Sequence, residues 1–272
     1  MLPLSTTRIA ARFCDLRAKN AKGLIVYLTA GDPNLDATGE LLLALDRAGV
    51  DVIELGVPFS DPLADGPVIQ RASERALRSG TTLRKILERF PNWRQSLHAP
   101  VILFSYFNPL LQFGLEKFAA SAALAGVDGA LVVDLTPEEA ENYVRAMRAQ
   151  NLDTVFLASP TSTDGRLKRA AQLSTGFLYL ISRTGVTGER SEMASSVRPL
   201  VERVRRVTSL PLAVGFGIST AAQVREVQAH ADAAVVGSAV VHAIEEHYSQ
   251  EGPAVIEQFV RGLKAGTGGE PV

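Results

Sequence analysis

The residue most able to do chemistry is Glu54, which stands inside the apolar run Val52-Ile53-Glu54-Leu55. A carboxylate flanked by Val52, Ile53, Leu55 and Val57 is costly to bury unpaired, so it must either find a partner or have its pKa rise. The first outcome is a structural salt bridge. The second makes an acid/base group, and a position at a strand end favours that reading. A stiff, proline-rich loop follows, Glu54-Leu-Gly-Val-Pro-Phe-Ser-Asp-Pro-Leu-Ala-Asp-Gly-Pro67, and it carries Asp61 and Asp65. From local context either aspartate reads equally well as a functional carboxylate or as a turn and helix cap.

Three further segments hold backbone suited to anions or to motion. Ser182-Arg-Thr-Gly-Val-Thr-Gly-Glu-Arg190 reads as a mobile lid rather than a plain surface loop, because Gly185 and Gly188 reach conformations closed to other residues. Gly215-Phe-Gly-Ile-Ser219, and Gly237-Ser238 opening into a helix, read as phosphate loops. There glycine lets the backbone approach an anion, and the first helical N–H groups point at it. The run Gly215 to Ala221 only faintly resembles a dinucleotide fingerprint. It follows a late strand, and the next strand ends in Val235-Val236-Gly237 instead of an acid, so a nicotinamide cofactor is not expected. His98, His230, His242 and His247 have no metal-ligand spacing and read as surface or packing residues; Cys14 has no base beside it.

These residues need a scaffold, and the apolar runs supply one. Leu24 to Leu28, Val52 to Leu55, Val101 to Ser105, Ala130 to Asp134, Thr154 to Leu157, Phe177 to Ile181, Leu212 to Gly215 and Ala233 to Val236 read as strands buried on both faces. Helical patterns lie between them, including Leu35 to Ala48, Leu115 to Ala125 and Glu138 to Gln150. The widest gap falls between the second and third strands, where Pro67 to Ser79 and Thr82 to Leu97 predict an extra helix. Ser5 to Lys19 predicts a helix capping one end of a barrel. An open doubly wound sheet shares the local pattern. Eight strand-helix units without a second domain favour a single (β/α)8 TIM barrel over residues 1–272, ending in a Gly-rich, disordered tail over 265–272.

Composition excludes several classes. With 28 basic and 29 acidic residues the net charge is −1, so no concentrated positive field exists for nucleic acid. The longest apolar runs are far shorter than the ~20 residues of a membrane span. With no signal-peptide layout and a single cysteine, the cytoplasm is the expected address.

Tyr27-Leu-Thr-Ala-Gly-Asp-Pro33, Glu54 through Pro67, Ser182 through Gly188, Gly215 through Ser219 and Gly237-Ser238 together resemble the tryptophan synthase α-subunit family, in order from Arg8 to His247. The resemblance implies a (β/α)8 barrel that cleaves indole-3-glycerol phosphate to indole and glyceraldehyde 3-phosphate. It implies catalytic roles for Glu54, as acid/base, and for Asp65, as the carboxylate at the indole nitrogen. It also implies substrate binding by Tyr27, Phe104, Tyr106, Tyr179, Thr187, Gly188, Phe216, Gly217, Gly237 and Ser238, with Ile218 flanking the site and a lid over Arg183 to Gly188. No cofactor is implied in this subunit; pyridoxal phosphate is expected in a β subunit that receives the indole, in an α2β2 heterotetramer. One departure is Thr136, in Asp134-Leu-Thr-Pro-Glu138, where the family pattern has a proline in a loop that contacts the β subunit. The alternatives are a stand-alone lyase that releases free indole, a non-catalytic allosteric partner of the β subunit, and another sugar-phosphate barrel enzyme. The last commonly uses a metal or a lysine at a strand end, and neither is seen here.

Overall fold

Parallel pairing joins each strand to its sequence neighbours and the last strand to the first, in a closed barrel of β1 (Gly23–Thr29), β2 (Val52–Gly56), β3 (Val101–Ser105), β4 (Gly129–Val132), β5 (Asp153–Ala158), β6 (Leu178–Ile181), β7 (Leu212–Gly215) and β8 (Ala233–Val236). The computed structural model describes residues 7–181, 191–215 and 217–265. The expected lid with Thr187 and Gly188, Phe216, and the tail from residue 266 lie outside these described residues.

Around the strands run α1 (Arg8–Ala18), α2 (Leu35–Arg47), α3 (Pro67–Arg78), α4 (Leu83–Arg94), α5 (Phe107–Phe113), α6 (Leu115–Ala125), α7 (Glu141–Ala149), α8 (Asp164–Leu173), α9 (Ser191–Arg205), α10 (Ala221–Gln228), α11 (Ser238–Ala243), α12 (Ser249–Glu251) and α13 (Pro253–Lys264), with a π-helical stretch over Ile244–Tyr248. The second crossover carries α3 and α4, as its length predicts. The helix expected from Glu138 begins three residues later, because Thr136 to Glu139 forms a turn instead. The Glu139 N–H donates to the Thr136 carbonyl at 3.1 Å, and the Thr136 hydroxyl donates to the Glu139 carboxylate at 3.1 Å. The strand expected to reach Asp134 stops at Val132, and the Asp134 carboxylate accepts the Phe107 N–H at 2.7 Å. Among the described residues, no helix is long and apolar enough to cross a membrane.

Strand periodicity decides what faces where. Leu24, Val26, Leu28, Ile53, Leu55, Leu103, Leu178, Leu180 and Val214 join the helices in one large cluster. The alternate residues Ile25, Val52, Ile102, Leu131, Val155, Phe177 and Ala213 form a second cluster inside the barrel. Ile9, Phe13 and Leu16 of α1 plug the N-terminal mouth of that inner cluster, with the Phe13 and Phe177 rings 5.9 Å apart. At the same end, aspartates just before three strands bind the first turns of backbone in the strand before them. Asp51 accepts the Leu24 N–H, Asp128 the Val101 N–H and Asp232 the Leu212 N–H, each at 2.7 Å. Lys264, Arg8 and Arg205 pair with these three carboxylates in turn. The N-terminal end is thus closed and tied, and the opposite end is left for function.

Candidate active site

Ile53 and Leu55 face the helices, so Glu54 between them faces the barrel interior, in register with Tyr27 of β1 and Ile102 of β3. Its residue is 1% exposed, and its Oε1 has no hydrogen-bond partner among the described residues. The salt-bridge reading of Glu54 finds no support: among the described residues no cation compensates the buried carboxyl. Desolvation alone pushes its pKa up to about 8. Tyr27 and Tyr179 lie within its electrostatic reach. Burial raises both phenols, and the Glu54 charge adds to each; Asp65 adds a larger contribution at Tyr27.

Asp65 sits at the end of the loop that follows β2. That loop turns twice on itself, with the Leu63 N–H donating to the Asp61 carbonyl at 2.9 Å and the Asp65 N–H to the Pro62 carbonyl at 3.0 Å. The Tyr106 hydroxyl donates to Asp65 Oδ2 at 3.1 Å and itself accepts the Ala64 N–H at 2.9 Å. Desolvation pushes the Asp65 carboxyl up to about 6, against a lowering by the Tyr106 hydrogen bond. Asp61 takes the turn role: it is exposed and accepts the Ser60 hydroxyl at 2.5 Å.

Aromatic and aliphatic side chains wall the space between. Tyr27 and Phe104 meet edge to face at 5.2 Å and pack with Val68, Ile69 and Ala72 of α3 and with Val241 of α11. The Tyr27 hydroxyl hydrogen-bonds Thr29 at 3.2 Å. Two strand-end glycines make room for the two inner tyrosines. A Cβ on Gly56 would lie 2.2 Å from the Tyr27 hydroxyl, and one on Gly215 would lie 2.3 Å from that of Tyr179. Sequence reasoning missed both glycines in this role, as well as Thr29, Val68 and Ile69; the signal available for the glycines was only their place at strand ends.

The loops after β7 and β8 meet at one cavity. Gly217, Ile218, Ser219 and Ser238 line one cavity of about 570 Å³ with Val68, His242 and Phe259 among the other walls. Gly217 has φ +66°, the left-handed region, which spares the loop a strained side chain. Gly237 immediately precedes α11 and lies 3.5 Å, by its would-be Cβ, from Tyr27. Neither Glu54 nor Asp65 is among the described residues lining that cavity, so the carboxylates and the loops after β7 and β8 are neighbouring parts of one barrel end rather than one pocket wall. His242, read from the sequence as a surface or packing residue, stands one helical turn beyond Ser238 and contacts Glu246 at 3.3 Å. Among the described residues no group of His, Cys, Asp and Glu could hold a metal ion.

A buried carboxyl that exchanges protons near neutrality, a second carboxylate oriented by a tyrosine, an aromatic wall and a glycine-lined cavity can together bind a phosphorylated aromatic molecule and move a proton on it. Comparison with known proteins agrees with that chemistry. The family described as Tryptophan synthase alpha chain matches residues 13–266. The tryptophan synthase alpha chain of Solibacter usitatus is 54% identical over 96% of this chain and 98% of its own length. That of Geotalea uraniireducens is 50% identical over 96% and 97%. Among solved structures, tryptophan synthase from Mycobacterium tuberculosis superposes with a TM-score of 0.88 at 37% identity, covering 97% of this chain and 99% of that one. The tryptophan synthase alpha subunit of Legionella pneumophila superposes at 0.90 and 35% identity, covering 96% and 98%.

Proposed function

Since the chain belongs to the tryptophan synthase alpha chain family and is the carbon-carbon lyase that splits indole-3-glycerol phosphate in tryptophan biosynthesis, we propose that Glu54 is its acid/base group and Asp65 its indole-binding carboxylate. The observation that carries this is the buried Glu54 carboxyl, which has an oxygen without a partner and is pushed up to about 8.

Indole leaves poorly until its C3 is protonated. Glu54 delivers that proton and accepts one from the hydroxyl of the adjoining glycerol carbon as the C–C bond breaks; that carbon becomes the aldehyde of glyceraldehyde 3-phosphate, and the bonding pair returns to the ring. A group able to exchange protons near neutral pH suits both transfers. Asp65, ionised, accepts a hydrogen bond from the ring N–H and stabilises the positive charge of the protonated indolenine. Tyr27, Phe104, Tyr106 and Tyr179 bound the indole, Gly188, Gly217, Gly237 and Ser238 hold the phosphate, Phe216 and Ile218 flank the site, and Thr187 belongs to the lid beside the catalytic loop.

The family implies a β subunit as partner, and pyridoxal phosphate belongs to that subunit. We further propose that the pair assembles as α2β2, that indole passes directly to the β subunit, and that residues 1–272 act as one barrel domain with no cofactor of their own. The deciding experiment measures indole release from indole-3-glycerol phosphate by the wild-type chain and by Glu54→Gln, with and without a β subunit. Near-wild-type turnover by Glu54→Gln would remove the assignment.

A further inference from the structure

We infer that Tyr106 is a positioning residue for Asp65: its hydroxyl holds one carboxylate oxygen and so sets the direction in which the other meets the ring N–H of the substrate. The inference rests on the reading of Asp65 given above. Asp65 is half-buried between exposed Ala64 and Gly66, and among the described residues the Tyr106 hydroxyl, at 3.1 Å from Oδ2, is the one side-chain donor to its carboxylate. Tyr106 grips the same loop at two more points. Its oxygen accepts the Ala64 N–H at 2.9 Å, and its ring lies 5.1 Å from that of Phe59.

Tyr106 is itself firmly placed. It is 5% exposed and occupies the N-cap of α5, whose first N–H, that of Phe107, donates to Asp134 Oδ1 at 2.7 Å. The orientation of Asp65 is thus borrowed from the ends of β3 and β4, while its own loop supplies only backbone turns. A hydrogen bond to an ionised group also favours the ionised form, so the same hydroxyl keeps Asp65 charged in the working range.

Tyr106→Phe in the full-length chain keeps the ring against Phe59 and removes only the hydroxyl. The expected result is a roughly ten-fold fall in kcat/KM for indole-3-glycerol phosphate, the size of a lost hydrogen bond to a charge. The acidic limb of the kcat/KM profile should also move to higher pH by about half a unit or more. In an Asp65→Asn background the same substitution should cost little further. An unmoved acidic limb, or an equal loss of kcat/KM in the Asp65→Asn background, would show that the Tyr106 hydroxyl acts independently of Asp65 and would overturn the proposal. If Asp65→Asn alone keeps wild-type kinetics, the fault lies instead in the reading of Asp65, and the proposal falls with it. Placing 3-fluorotyrosine at position 106, a stronger donor of wild-type shape, guards against a folding defect. It should move the acidic limb to lower pH, and an unmoved limb again counts against the proposal.

Discussion

The Tyr27 hydroxyl occupies the space that a side chain at Gly56 would need, 2.2 Å from the position of a Cβ there, although 3.0 Å is the closest that real Cβ contacts come. The two residues stand on neighbouring strands two register positions apart, Tyr27 opposite Glu54 and Gly56 opposite Thr29. Gly56→Ala must therefore push the phenol off Thr29 and toward the substrate space. We expect kcat/KM to fall by about 10²-fold, as a misplacement near 1 Å costs. The folded state should lose about 1–3 kcal/mol by overpacking. Urea unfolding and the indole-release assay read the two effects separately, and unchanged kinetics would mean the tyrosine is free to yield.

Glu54→Gln keeps the shape of the side chain and removes the exchangeable proton. Its kcat should fall by at least about 10², with glycerol 3-phosphate affinity within a few-fold of wild type. Stability should move the other way. The folded-state pKa is raised from 4.5 to about 8, so the native chain binds the proton more tightly than the unfolded one. The associated stability is fully present below pH 4.5 and is lost as pH rises through about 8. Thermal melts of wild type and Glu54→Gln should accordingly diverge with rising pH, the variant becoming relatively more stable; parallel curves would contradict the buried, unpaired carboxyl.

The two carboxyls also set the pH dependence of the reaction. Asp65 must be ionised, and it titrates at about 6; Glu54 must start protonated, and it titrates at about 8. Plotted against pH, kcat/KM should be a bell that falls below about 6 and above about 8. Glu54→Gln should erase the basic limb of whatever activity remains.

Asp65→Asn loses the charge that stabilises the indolenine, so it too should lower kcat. Unlike Glu54→Gln, it should also weaken the binding of indole, because an amide oxygen accepts the ring N–H less strongly. Competition by free indole in the cleavage assay distinguishes the variants: a raised inhibition constant is expected for Asp65→Asn alone.

Glycerol 3-phosphate should compete with substrate while glycerol does not, if Gly217, Gly237 and Ser238 hold the phosphate. Equal inhibition by both would remove that assignment. A Cβ at Gly237 meets only ordinary contacts, 3.5 Å and beyond, so Gly237→Val should weaken glycerol 3-phosphate binding with the fold kept.

What the sequence by itself determined was whatever depends on local periodicity. Ile53 and Leu55 alternate with Glu54 and so share the face opposite to it, and eight strand-helix units without a second domain favour a barrel over the open sheet that has the same local pattern, with Glu54 and the loops after β7 and β8 at strand ends; closure itself, and the turning of Glu54 to the inner face, belong to the assembled barrel. The family motifs were legible for the same reason, being continuous in the chain. Only the tertiary structure decided contacts between separate elements. Tyr106 reaches Asp65 across 41 residues because the loop after β2 folds back over the end of β3. Gly56 must be small because the register of β1 and β2 brings a phenol to it, and Val68 and His242 meet the β7 loop because α3 and α11 pack side by side. The late start of α7 was hidden likewise, since Thr136 and Glu139 satisfy one another in a turn where helical spacing alone predicts a first turn of helix. Periodicity fixes which residues share a face; closure decides which face is inner, and register and loop path choose the atom each residue meets there, all properties of the assembled barrel.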